Sequence, residues 1–185
     1  MSAQKDTRCD QLVKELTLRY PSFALISKQQ STVCRMIDFA LRVVTLNMNR
    51  SFMIDVVTTL GQVIYLPRDW SKRSDAERYA VLRHEAVHLE QFSRLGFFVM
   101  AVVYVFVFFP FGLAWGRARL EWQAYEETMR VHSELYGIRA LEQDAFRRKL
   151  VRLFTGPAYG WMWPFPRTIE RWYDKSLSSI RGDSN

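Results

Sequence analysis

Residues 74–96 read SDAERYAVLRHEAVHLEQFSRLG. Ser74 stands three residues before Glu77, the spacing of a capping box. In that motif the hydroxyl and the carboxylate each take up a main-chain amide that the helix itself leaves unpaired. The pattern predicts a helix of about 20 residues, from Asp75 to near Leu95, with Gly96 as its C-terminal stop. Within it, His84 and His88 are one turn apart, so both imidazoles leave the same face. Two nitrogens so placed can bind one zinc ion at about 2.0–2.1 Å. Glu85 follows about 100° round the helix, where it can take a proton from an activated water and pass it to a leaving amine. The chain holds three histidines and two of them fall here. That weighs against a chance motif on a solvated helix face.

A catalytic zinc needs a third protein ligand and an open position. No further His-x-x-Gly-x-x-His run follows His88. Glu90 is two residues past His88 and points about 160° away from it round the helix, which excludes it. Glu121, Glu126, Glu127 and His132 stay in play, all on a helix predicted from Arg117 to Tyr136 and stopped by Gly137. Glu121 and Glu126 are about 140° apart round that helix, so they cannot both face one metal. His132 is about 16 Å along from Glu121, a position that suits a core-edge or exposed histidine. Tyr125, one turn from Glu121, is a candidate for stabilising a transition state.

The combination of HEAVH at 84–88 with EWQAY at 121–125 on a later helix resembles the gluzincin clan of zinc peptidases. The resemblance covers roughly residues 52–136. It implies His84, His88 and Glu121 as ligands of one catalytic zinc, with Glu85 as general base. It also implies a zincin-like α+β fold in which a small β-sheet with a hairpin precedes the HExxH helix. Ala124 is the small residue that would let the Glu121 helix come close. Where many gluzincins have Asp four residues after the ligand Glu, to orient a ligand histidine, this chain has Tyr125.

Upstream, residues 7–19 carry apolar residues at helical spacing and end at Tyr20-Pro21. Residues 36–46 fit two patterns, and the alternation of Ile37, Phe39, Leu41 and Val43 favours a strand. Phe52–Thr58 and Gln62–Leu66 read as a hairpin turning at Thr59-Leu60-Gly61. Such a hairpin offers an edge for an extended peptide substrate.

Phe97–Trp115 runs for 19 residues without a charge, about 28 Å if helical. A single membrane crossing there would put His88 and Glu121 on opposite sides, which the metal site forbids. Pro110 offers a turn, and Arg94, Arg117 and Arg119 put positive charge at both ends. The expectation is an apolar insert at 97–116, either a re-entrant hairpin dipping into one leaflet from the cytoplasmic side or a buried core helix. Residues 141–185 form a basic and aromatic C-terminal extension: a helix at 141–154, an aromatic cluster at 159–165 that forms a second membrane anchor, and a short helix at 167–180.

Length points to one domain over 1–185. Cys9 and Cys34 show no paired spacing and read as reduced thiols. No apolar stretch follows the first basic residues, so no cleavable signal peptide is expected. The net charge of +7 suits an anionic partner. No nucleic-acid-binding motif accompanies it, so the expected partners are a peptide or protein substrate and a membrane surface. The reading is thus a zinc-dependent endopeptidase, peripheral or monotopic on the cytoplasmic side of a membrane. The alternative is a catalytically silent zinc-containing binding or assembly module.

Overall fold

The computed structural model describes residues 7–44, 52–105, 114–157 and 161–183. These form six α-helices and one three-stranded sheet, a mixed α+β chain that is mostly helical. They divide into two compact units, residues 1–94 and 95–185.

In the first unit, α1 (Arg8–Arg19) opens on a second capping box. The Thr7 hydroxyl accepts from the Asp10 amide, and the Asp10 carboxylate accepts from the Thr7 amide. Its apolar face, with Cys9, Leu12 and Leu16, packs in one core with Tyr20, Ile64, Leu82 and Leu89. The sheet has the order β1-β3-β2. β1 (Ala24–Ser27) runs parallel to β3 (Val63–Leu66), and β2 (Thr58–Leu60) runs antiparallel to it. The Leu60–Val63 pair leaves a two-residue turn. Gly61 occupies its first position with φ 62, the place where such a turn asks for glycine.

Two expectations need correction. Residues 36–46 do not begin a strand: Thr32–Val44 is a helix, α2. Cys34 and Asp38, one turn apart, are buried on its inner side, a helical rather than a two-residue period. The hairpin is present but shifted: Thr59 and Leu60 are strand residues rather than part of the expected turn, the chain turns at Gly61-Gln62, and 52–55 is a turn. Side chains and a loop amide take the carbonyls there in place of a ladder. The Phe52 carbonyl accepts from Lys28, the Met53 carbonyl from the Arg68 amide and the Asp55 carbonyl from Arg73.

The Ser74–Glu77 capping box forms as expected, with the Ser74 amide 2.8 Å from Glu77 Oε2 and the Glu77 amide 3.3 Å from Ser74 Oγ. The helix it opens, α3, spans Asp75–Val105 with a non-helical break at Gly96 (φ 79, ψ 159). That conformation is open to little besides glycine.

In the second unit, α4 (Ala114–Tyr136) ends where Gly137 takes φ 82. α5 (Asp144–Thr155) and α6 (Pro166–Asp183) complete it. Trp122, Met129, Phe154, Ile169 and Tyr173 sit at the centre of its core. The Tyr173 hydroxyl donates to the Leu141 carbonyl, and burial pushes its pKa up to about 12.

The turn expected at Pro110 lies outside the described residues. On the described flanks of the insert, Leu95, Phe97, Phe98, Val99 and Trp115 are exposed and Met100 is buried. The helix Asp75–Val103 is, by length and composition alone, apolar enough to cross a membrane. The aromatic cluster at 159–165 divides: Met162 is buried and Trp163 packs on the core, while Trp161 and Phe165 are exposed.

Candidate metal centre

The histidine pair comes from the middle of α3, where the capped helix is regular. His88 is buried and His84 is half-buried. Their rings meet edge to face, with centroids 5.1 Å apart. His88 Nδ1 donates to Gln91 Oε1 at 2.9 Å. A carbonyl oxygen can only accept; with Nδ1 donating to it, Nε2 would carry the lone pair. A histidine so held has one defined nitrogen for a metal.

Glu85 is buried, and its Oε2 accepts from the Thr59 hydroxyl at 2.6 Å. Thr59 belongs to β2, an edge strand of the sheet, and is itself buried. The neighbouring Thr58 hydroxyl accepts from Lys28 at 2.7 Å. Lys28 is 0% exposed. Its ammonium also lies 3.5 Å from the centroid of the Phe52 ring. Burial pushes its pKa down to about 8, against the opposing fields of Cys34, Glu85 and Asp38. A charged lysine thus sits under the strand that holds the Glu85 carboxylate.

Glu121, on α4, is buried. One ligand atom each from His84, His88 and Glu121 lie within 4.8 Å of one another. Ligands of one zinc stand about 3.3 Å apart when each bond is about 2.0–2.1 Å, a spacing of the same order. Two imidazoles and one carboxylate are also a donor set that zinc accepts. The residues therefore fit such an ion.

Three of the other candidates, Glu90, Glu126 and His132, have partners of their own. Glu90 pairs with Arg94 at 2.6 Å and Arg19 at 2.5 Å, and accepts from the Tyr20 hydroxyl. That hydroxyl and the two guanidinium groups hold its carboxyl below the usual range. Glu126 accepts from Ser176. His132 stacks on Phe146 with centroids 4.4 Å apart, at the edge of the second core. Tyr125 is buried, its ring 5.4 Å from that of Phe154.

Sequence reasoning missed Gln91, Thr59 and Lys28. Gln91, three residues after His88, was within reach of a helical-spacing argument. Thr59 and Lys28 carried no local signal, because their roles come from pairings across 26 and 30 residues. Comparison with protein-family models, curated proteins and solved structures returns no match.

Proposed function

We propose that this chain is a zinc-dependent endopeptidase of the gluzincin type, working at a membrane surface. The observation that carries the reading is the grouping of His84, His88 and Glu121 ligand atoms within 4.8 Å, one residue from the buried carboxylate of Glu85. A zinc ion held by these three residues would supply Lewis-acid polarisation of a scissile carbonyl and of the attacking water.

The chain's own residues do the rest. Glu85 takes a proton from the water as its oxygen bonds to the carbonyl carbon. It then gives that proton to the amide nitrogen as the C–N bond breaks. Thr59 fixes the carboxylate through Oε2, and Gln91 fixes the tautomer and tilt of His88. β2, as an edge strand, offers main-chain groups to an extended substrate.

The exposed Leu95, Phe97, Phe98 and Trp115, with Trp161 and Phe165, support membrane association. A single crossing by this segment would separate Glu121 from the histidines, so the insert makes its membrane contact from one side. Its basic flanks place both ends on the cytoplasmic side.

Metal analysis of wild type, His88→Ala and Glu121→Gln tests the centre. One zinc per chain is expected in wild type, with loss in both variants. Glu85→Gln then tests catalysis: it should keep zinc and lose cleavage of an unfolded protein substrate. Zinc retention with no cleavage by wild type either would favour the silent module.

A further inference from the structure

Helix α2 has three sectors. Cys34 and Asp38 are buried, with Ile37 and Leu41 half-buried beside them. On another side, Val33, Met36, Phe39, Ala40 and Val43 fall within an arc of about 120°. All five are exposed, Met36 by 67% and Phe39 by 70%. Arg35 and Arg42 come next, about 40–60° past Phe39. Both are exposed; Arg42 pairs with Asp38 at 2.8 Å, and Arg35 reaches Thr32.

A solvated helix does not usually present a sector of this kind. Five apolar residues on one face, two of them large and mostly exposed, form a surface that water disfavours. An apolar sector next to arginines, on a chain of net charge +7, matches the interface of an anionic bilayer. There the apolar arc enters the acyl boundary, and long cationic side chains rise to the phosphates. A protein partner would be met as well by an apolar patch with a mixed-charge rim, but here both exposed charges beside the arc are positive.

We infer that α2 is an interfacial helix that lies in the plane of an anionic membrane, with Val33, Met36, Phe39 and Val43 in the acyl boundary and Arg35 and Arg42 on the lipid phosphates. The metal centre is not needed for this, and α2 adds a contact in the first unit that is separate from the apolar insert.

The test uses the full chain with an environment-sensitive fluorophore on Phe39→Cys. Cys9 and Cys34 are buried, and wild type treated in parallel controls for stray labelling. A second probe sits on Phe98→Cys. Vesicles are phosphatidylcholine with or without about 30% phosphatidylglycerol. The residue-39 probe should shift to the blue on anionic vesicles and stay unshifted on neutral ones. Met36→Glu with Phe39→Glu, both at exposed positions, should lower anionic vesicle partitioning about tenfold or more.

Three outcomes would overturn the inference. In the first, the protein floats with vesicles and the residue-98 probe shifts while the residue-39 probe does not, which leaves the insert as the anchor. In the second, the residue-39 probe is blue-shifted without vesicles in a concentration-dependent way, which makes a second copy the occupant. In the third, it is blue-shifted without vesicles at every concentration, so another part of the chain covers the face.

Discussion

Thr59 on β2 donates its hydroxyl to Glu85 on α3 at 2.6 Å, with both side chains buried. The contact ties the carboxylate next to the histidine pair to an edge strand, so anything that shifts the strand shifts the carboxylate. A hydrogen bond to a charged group is worth about 1.5–3 kcal/mol. Thr59→Val should therefore lower kcat about 10- to 100-fold with zinc content unchanged, and Thr59→Ser should restore most of it. Steady-state kinetics beside metal analysis would check this. Equal loss in Val and Ser variants would mean that strand packing matters and the hydroxyl does not.

Gln91 acts one step from the metal. Gln91→Leu removes the acceptor on His88 Nδ1 while roughly keeping side-chain volume, so the imidazole loses its fixed tautomer. Partners of this kind are worth about 10- to 100-fold in metal affinity. Competition for zinc with a chromophoric chelator should show weaker binding within that range, and Gln91→Glu, which still accepts, should bind more tightly than Gln91→Leu.

Lys28 gives a stability signature that does not depend on activity. Its folded value, about 8, lies below its ordinary 10.5. Between those values the unfolded chain binds more protons than the folded one, so this group's contribution to stability rises with pH. Below pH 8 the fold bears the full cost of a buried ammonium. Urea unfolding of wild type against Lys28→Met should show wild type gaining up to roughly 3 kcal/mol on the variant from pH 8 to 10.5. A difference that stays flat across that window would show that the ammonium is not desolvated.

His132 makes the opposite end of the pH range informative. Burial against Phe146, helped by the charge of Lys149, lowers its pKa from 6.5. As pH falls through 6.5 the unfolded chain takes the proton first, so stability is lost toward acid. His132→Phe keeps the stacked ring and cannot be protonated. Its melting temperature should therefore fall less than that of wild type between pH 7 and 5, measured at one ionic strength. Parallel falls would assign the acid loss to other groups.

Much of the helical framework was legible because its signals are local. The capping box at Ser74–Glu77, the break at Gly96 and the stop at Gly137 depend on residues within one turn of each other, and all three appear in the structure, though helix resumes past Gly96 to Val105. α2 was misread because Ile37, Phe39, Leu41 and Val43 alternate while a helical stripe runs through the same residues. Solvent exposure of that stripe removed the usual cue to which period was real. β1 escaped notice because its partner, β3, lies 39 residues on in a parallel pairing, and no turn announces such a pairing.

The His84-Glu85-x-x-His88 spacing is a property of any regular helix, so the sequence by itself determined that two imidazoles share a face and that a carboxylate stands beside them. It also marked Glu121 as one of several acids on a later helix. Only the tertiary structure decided which acid stands with the histidines, and which groups orient Glu85 and His88. Those answers depend on chain segments brought together across tens of residues, where hydrogen-bond geometry and burial select among side chains that spacing alone leaves equivalent.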